Sequence, residues 1–256
     1  MVGTIYLDER TLGNLTPKTG TESMRVAILQ PSYLPWLGFF EQMHRSDKFV
    51  LYDDVQFTRR DWRNRNRVRV REGSVWLTVP IIQKNKFEQS LLDTQIDNST
   101  SWNRKHLETI RCHYSKAPYF DSYFPWCEEI YNREWNFLLD LSLETIQYLK
   151  GQLKIETPLL RSSELGVKGN KTERLIGICK QLRATHYLSG DSAKNYISEE
   201  EFSNENITLE YQEYQHPQYP QRYEGFVPFM SALDLLFNCG DKSLGILKQT
   251  ESSCAQ

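Results

Sequence analysis

The hydrophobic residues along the chain form short strand-like runs that alternate with longer helical patterns. Apolar runs predict strands over residues 25–29, 48–53, 75–81, 185–188 and 207–211. Apolar residues at helical spacing predict helices over residues 36–45, 172–182 and 231–237. Strands that alternate with helices are typical of an α/β fold. We therefore predict a mainly parallel, Rossmann-like sheet.

The segment between residues 98 and 151 has a different pattern. Residues 102–114 and 125–149 carry apolar side chains at helical spacing, such as Ile130 and Ile146. This pattern predicts a helical insertion into the α/β domain.

One domain over residues 24–248 accounts for the continuous patterning. Residues 1–23 lack sustained periodicity and precede Met24. We expect them to be an N-terminal extension, flexible or left out by an alternative start, and residues 249–256 to be a solvated tail.

Composition narrows the class of protein. With 256 residues and a formal net charge of -2, the chain can bury a sizeable core but is not suited to coating nucleic acid. No run approaches the roughly 20 apolar residues needed to span a bilayer, and the N-terminus lacks a secretory pattern, so we expect a cytoplasmic protein without a membrane partner. The five cysteines and five histidines lack metal-ligand spacing. We predict no metal site, and the sequence identifies no cofactor.

Two loops at predicted strand ends carry candidate binding residues. Pro31 and Pro35 stiffen the loop after the first strand, which should present Gln30, Tyr33 and Trp36. The second strand ends in further polar residues, which are Asp53, Asp54 and Gln56. Ligands of open α/β sheets bind outside the carboxyl ends of strands, so both loops are candidates for one crevice. The alternative is that an aspartate here only caps a turn.

Arginines occupy every second position from 63 to 71. In a strand they would share one face, where like charges repel unless anions or carboxylates separate them. We assign substrate binding, through phosphate, to Arg63 and Arg65 with the adjacent Asn64 and Asn66. For Arg69 and Arg71 we expect a solvated edge strand. Arginine and aromatic residues together can also bind RNA.

Two further segments are candidates for anion and hydroxyl recognition. Lys171 and Thr172 precede a predicted helix and can hold an anion, although Thr172 serves equally well as a simple N-cap. The spacing is not that of a Walker A loop. Ser189 ends another predicted strand and suits a sugar or ribose hydroxyl.

The last candidate segment is a loop rich in proline, tyrosine and glutamine. His216 is the candidate general base, because histidine titrates near neutral pH, although a loop histidine is more often only a hydrogen-bonding surface residue. Tyr219 and Gln221 are candidate binding residues on the same loop. Ser231 is a candidate N-cap and ligand contact, and Asp234, with Asp53, is a candidate catalytic carboxylate.

Several of these segments together resemble the WbqC-like family of bacterial proteins. The resemblance lies in the segments 30–40, 53–57, 62–66, 169–174, 187–190, 216–221 and 231–238, and extends from Met24 to about Gly240. It implies a role in surface polysaccharide (O-antigen, lipopolysaccharide) biosynthesis, and glycyl or aminoacyl transfer to an amino sugar.

Three hypotheses follow. The first is an aminoacyl, glycyl or acyl transferase that acts on a nucleotide-linked amino sugar. Its substrate would be a small-molecule sugar nucleotide, and its aminoacyl donor could be charged tRNA, the one nucleic acid that this hypothesis allows. The second is an ATP-using ligase or nucleotidyltransferase, although the HxGH signature of that superfamily is missing: Pro35-Trp-Leu-Gly38 contains no histidine. The third is a non-catalytic module that binds an anion or RNA.

Overall fold

The computed structural model describes residues 23–58, 61–83, 89–195 and 197–249. The strands are β1 (Arg25–Leu29), β2 (Lys48–Leu51), β3 (Arg65–Val70), β4 (Gly73–Thr78), β5 (Leu159–Arg161), β6 (His186–Ser189) and β7 (Thr208–Tyr211). The helices are α1 (Leu37–Arg45), α2 (Trp102–Tyr114), α3 (Phe120–Asn132), α4 (Leu138–Gln152), α5 (Ser162–Leu165), α6 (Lys171–Gln181), α7 (Glu199–Asn204), α8 (Ala232–Cys239) and α9 (Ser243–Leu247). The expected extension at 1–23 and most of the tail lie outside these ranges.

Five strands form one parallel sheet in the order β5-β2-β1-β6-β7. Every neighbouring pair is parallel, with Leu29 opposite Leu51 and Ala27 opposite Leu188. Along the chain, β2 and then β5 are added on one side of β1, and β6 and then β7 are added on the other side. The predicted Rossmann-like sheet is confirmed, and its strand order reverses between β1 and β6.

The central strand β1 is buried because its side chains alternate between two hydrophobic clusters. Val26 and Ile28 pack with α6, whereas Ala27 packs with α1 and with the helical segment α2–α4. A strand covered on both faces is the usual consequence of helical crossovers. The result is a three-layer arrangement in which only the ends of β1 are partly exposed.

The predicted strand at 75–81 is β4, but β4 does not join the parallel sheet. It pairs antiparallel with β3, and this hairpin lies beside the loop that follows β1. The predicted helix at 102–114 is α2, and the pattern at 125–149 belongs to two helices, α3 and α4. No helix in the described ranges is long and apolar enough to cross a membrane.

Arg69 is buried, and the expectation of a solvated edge strand is wrong for this residue. Only 3% of its surface is exposed, and its guanidinium donates to the carbonyl oxygens of Val70, Gly73, Glu224 and Gly225 at 2.6 to 3.4 Å. Arg69 therefore fastens the β3–β4 turn to the loop before α8. Arg71 is exposed, as expected.

Arg69→Met should destabilise the protein by at least about 2 kcal/mol, because it leaves buried carbonyl oxygens without donors. Arg71→Met, two residues further along, should change stability by less than about 0.5 kcal/mol. Urea unfolding of the two variants measures the difference. Equal decreases in the free energy of unfolding of the two variants would show that the guanidinium of Arg69 does not stabilise this loop.

Candidate functional site

The first part of the candidate site lies where the strand order reverses, at the carboxyl ends of β1 and β6. Gln30 follows β1 and Ser189 ends β6. The side-chain oxygen Oε1 of Gln30 is buried and accepts no hydrogen bond from a described residue. Ser189 is 3% exposed, and its backbone carbonyl accepts the backbone N–H of Gln212. Reversal points of this kind are where open α/β sheets bind ligands.

Arg63 lies directly against the loop after β1. Its Nη1 donates to the carbonyl oxygen of Gln30 at 3.3 Å and to Oγ of Ser32 at 3.0 Å. Its Nη2 lies 3.5 Å from the carboxylate of Asp61. The backbone N–H of Tyr33 donates to the carbonyl oxygen of Arg63, which joins the two loops. The structure thus brings together Gln30 and Arg63, two residues that the sequence analysis assigned separately to substrate binding.

The outer face of the β3–β4 hairpin carries arginines stacked on tryptophans. Arg65 lies 4.4 Å from the ring centre of Trp76, and Arg67 lies 5.6 Å from both Trp62 and Trp76. Trp76 is 40% exposed. Burial lowers the pKa of Arg67, and none of the described carboxylates pairs with it. We call Trp62, Arg65, Arg67 and Trp76 the Arg–Trp face.

Asn64 and Asn66 point to the opposite side and hold backbone groups. Asn64 donates to the carbonyl oxygen of Val79 at 2.8 Å, and Asn66 donates to that of Leu34 at 2.6 Å. Both are buried. The alternation of the strand therefore separates the arginines, which face outwards, from the asparagines, which attach β3 to its neighbours.

Tyr33 is fully buried rather than presented to a ligand. Its hydroxyl contacts Nδ1 of His106 at 3.0 Å and the hydroxyl of Tyr131. Burial lowers the pKa of His106 to about 4, so the ring is neutral at pH 7. His106 also lines a cleft of about 320 Å³ between β4 and α2. Tyr33 is thereby tied into the interior behind this cleft.

Asp53 and Asp54 organise the start of α5 at the carboxyl end of β2. Asp53 is fully buried and accepts from Arg161, from both the backbone N–H and the hydroxyl of Ser163, and from the hydroxyl of Ser162, at 2.6 to 3.1 Å. Its carboxylate is thus fully hydrogen-bonded within the protein, as the alternative of a capping aspartate anticipates.

Asp54 is half-buried and pairs with Arg174 of α6 at 2.5 Å. It also accepts from the hydroxyl of Ser162 at 2.6 Å. Burial acts to raise its pKa, but the hydrogen bonds from Ser162 and Arg174 outweigh burial and lower it. The pair joins β2 to α6. Gln56, two residues later, is exposed.

The helix α6 begins at Lys171, and Asn170 rather than Thr172 is its N-cap. The carboxylate of Glu173 accepts the backbone N–H of Asn170 at 3.4 Å. Lys171 is exposed and Thr172 is buried. Of the two predicted residues, Lys171 is the one open to an incoming anion.

His216 lies in an aromatic cluster on the loop that leaves β7. Its ring stacks on Trp36, with 6.3 Å between ring centres and 15° between planes, and lies 5.2 Å from Phe229. Nδ1 contacts the carbonyl oxygen of Pro217 at 2.8 Å, and Nε2 accepts the backbone N–H of Phe229 at 3.1 Å. Burial lowers the pKa of His216. The ring is therefore neutral at pH 7, with both nitrogens engaged.

Asp234 is completely buried at the start of α8. It accepts from the hydroxyls of Tyr114 at 2.6 Å and Tyr219 at 2.8 Å, and from the amide of Gln221 at 3.0 Å. Burial raises its pKa, while these donors act in the opposite direction. Ser231 caps α8 by accepting the backbone N–H of Leu233 at 3.3 Å, as predicted. This set joins three separate segments and has no exposed member except part of Gln221.

The predicted site residues thus fall into separate groups. Gln30 and Arg63 lie at the end of β1, with Arg65 on the neighbouring Arg–Trp face, and Trp36 lies with His216 next to Phe229. Arg67 links the two regions, because its guanidinium donates to the carbonyl oxygens of Pro228 and Phe229. Sequence reasoning missed Trp76, whose pairing with Arg67 could be found only from the hairpin register. Among the described residues no group of His, Cys, Asp and Glu could hold a metal ion.

The fold and these contacts define a doubly wound α/β protein with an arginine at the point where the strand order reverses. The profile of the WbqC-like protein family matches residues 30–246. A relative in Mycobacterium tuberculosis (strain ATCC 25618 / H37Rv), the uncharacterized protein Rv1507c, is 38% identical over 226 residues, which are 88% of this chain and 97% of the relative. No solved structure matches the chain. The chain belongs to the WbqC-like protein family, and this membership suggests a role related to polysaccharide biosynthesis.

Asp54→Asn should destabilise the protein at pH 7, and the difference from the native protein should shrink as the pH falls. A carboxylate with a lowered pKa stabilises the fold above its unfolded pKa of about 3.9, and this contribution is lost as the pH falls through the folded pKa. Urea unfolding at pH 7, 5 and 3 measures it. A difference that stays constant down to pH 3 would contradict the assignment to the ion pair with Arg174.

Proposed function

We propose that the protein is a cytoplasmic transferase that carries an aminoacyl, glycyl or other acyl group to a nucleotide-linked amino sugar for bacterial surface polysaccharide. The observation that carries this proposal is the position of Arg63. Its guanidinium lies at the carboxyl end of the central strand, against the loop where nucleotides bind in sheets of this topology. The family supplies the polysaccharide context.

The arginines immediately before and within β3 favour a diphosphate as the anion. Arg63, Arg65 and Arg67 lie at alternate positions, so the first and last are no more than about 14 Å apart along the chain. Several guanidinium groups on one face suit an extended anion better than a single carboxylate. Trp62 and Trp76 on the same face add surfaces on which a sugar ring can stack.

His216 is the residue best placed to act as the base. Asp53 and Asp234 are buried with their oxygens hydrogen-bonded, whereas His216 is half-buried, neutral and in contact with Trp36. In the proposed reaction the amino group of the sugar attacks the acyl carbon of the donor, His216 takes the proton, and the leaving group of the donor departs with the bonding electrons. For this, the hydrogen bond from the backbone N–H of Phe229 to Nε2 must first break. Phe229 is an exposed residue with φ of 61°.

A second candidate is an ATP-using ligase or nucleotidyltransferase. The strand order β5-β2-β1-β6-β7 favours it, because a mononucleotide site at β1 and β6 suits ATP as well as a sugar nucleotide. The absence of an HxGH motif in the loop after β1 argues against it.

A thermal-shift panel of UDP-linked and other amino-sugar nucleotides, ATP and short single-stranded RNA tests the proposal. A ligand at about 100 times its Kd adds about 2.7 kcal/mol of stability, which is roughly 5 to 11 °C for a domain of this size. We expect amino-sugar nucleotides to give this shift. A shift with ATP alone would favour the second candidate, and one with RNA alone would favour a binding module on the Arg–Trp face.

Arg65→Gln should reduce the shift with a sugar nucleotide to less than half, because it removes a charge from the phosphate site without removing the contacts of Arg63 to the loop. Arg71→Gln removes the same charge from the exposed end of the row and should leave the shift unchanged. The two variants have the same net charge, so a general electrostatic effect would lower both shifts equally. That outcome would contradict a specific phosphate site.

His216→Gln should keep the ligand-induced shift but lower the turnover by about 100-fold or more, because a positioned base contributes roughly that factor. The native rate should stay constant from pH 8 to 7 and fall only below about pH 6.5, since the pKa of His216 is lowered from that value. Steady-state rates measured across pH 5 to 8 check both points. A rate that already falls with decreasing pH above pH 7 would exclude His216 as the base.

A further inference from the structure

Gln42 carries a buried hydrogen-bond acceptor that the fold does not use. It lies on α1 with 1% of its surface exposed, and its Nε2 donates to the carbonyl oxygen of Leu188 at 2.7 Å. A carbonyl can only accept, so this bond fixes the orientation of the amide. Oε1 is buried and accepts no hydrogen bond from the described parts of the chain. An unpaired buried acceptor of this kind needs an explanation.

The oxygen faces Gly190, the residue that follows β6. A Cβ atom built on Gly190 would lie 3.9 Å from Oε1 of Gln42, and among the described residues no other atom outside its chain neighbours would lie within 4 Å. The φ of Gly190 is not in the left-handed region, so the backbone does not require glycine here. The glycine leaves room for a group at contact distance from the oxygen of Gln42, which itself has almost no solvent-accessible surface.

This space adjoins the point where the strand order reverses. Ala27 pairs with Leu188, so Leu29 lies opposite Gly190 and Gln30 follows immediately. Oε1 of Gln30 is a second buried acceptor without a described donor. An amide oxygen can only accept, so these two oxygens suit a group that donates hydrogen bonds through O–H or N–H.

We propose that Gln42 and Gly190 bind the nucleoside end of the ligand, with Oε1 of Gln42 accepting a hydrogen bond from a ribose hydroxyl or a base amine. Gln42 is then a residue that determines specificity, and a ligand that lacks the nucleoside binds poorly. The orientation of the ligand, with its phosphates towards Arg63, rests on the proposed function. The nucleoside site itself rests on Gln42 and Gly190 alone.

The test uses two probes, a nucleoside (adenosine and uridine, each measured separately) and inorganic diphosphate, with the full chain. Gly190→Ala adds one methyl group at an ordinary contact distance from Gln42, so the fold should be retained. We expect Gly190→Ala to weaken binding of the preferred nucleoside at least ten-fold by calorimetric titration and to leave diphosphate binding unchanged. Gly151→Ala, at an exposed helical position with open space around it, is the matched control.

Gln42→Met keeps the length of the side chain and removes the acceptor, so it should weaken binding of the same nucleoside by a similar factor. Urea unfolding checks that the variant folds. Unchanged nucleoside binding in Gly190→Ala would overturn the inference, as would a native protein that binds neither nucleoside. Failure of the proposed function looks different. In that case the nucleoside still binds and responds to Gly190→Ala, while amino-sugar nucleotides bind no more tightly than the nucleoside and Arg65→Gln has no effect.

Discussion

The burial of β1 on both faces is the constraint on which the rest of the structure depends. Its side chains enter one hydrophobic cluster on each side of the sheet, so the backbone can reach solvent only at the strand ends. β2 and β6 pair with its two edges, and the chain leaves β1 through a loop held by Pro31 and Pro35. The polar groups of the candidate site are therefore concentrated at one end of this strand.

A second set of buried interactions attaches the hairpin and the last helix to that core. The backbone N–H of Arg69 donates to the hydroxyl of Tyr114, which donates in turn to Asp234 of α8. Asp234 has no exposed surface, so its charge is tolerated only because Tyr114, Tyr219 and Gln221 all donate to it. This network keeps β3 in the position where Arg63 and Arg67 contact the loop after β1 and the peptide of Phe229.

The arginine row shows how one sequence pattern can serve different purposes. Arg65 and Arg67 lie on an outward face with two tryptophans, while Arg69, at the next alternate position, is buried under the loop at Glu224 and Gly225. Alternation predicts which residues share a face, but it does not predict which part of that face another segment will cover. The same limit applies to Tyr33, which a helix from the 98–151 segment covers.

The sequence by itself determined the alternation of strands and helices, the helical character of the 98–151 segment, the cap at Ser231 and the family, because these depend on periodicity, local hydrogen bonding and short motifs. Only the tertiary structure decided the strand order, the pairing of β4 with β3 and the burial of Arg69. It also decided that Asp53 and Asp234 are hydrogen-bonded inside the protein, and that Gln42, an ordinary polar residue of a helix in the sequence, keeps a buried free oxygen beside Gly190. Such features depend on contacts between residues far apart along the chain, such as Arg69 and Gly225, which are 156 positions apart, and no local pattern carries them.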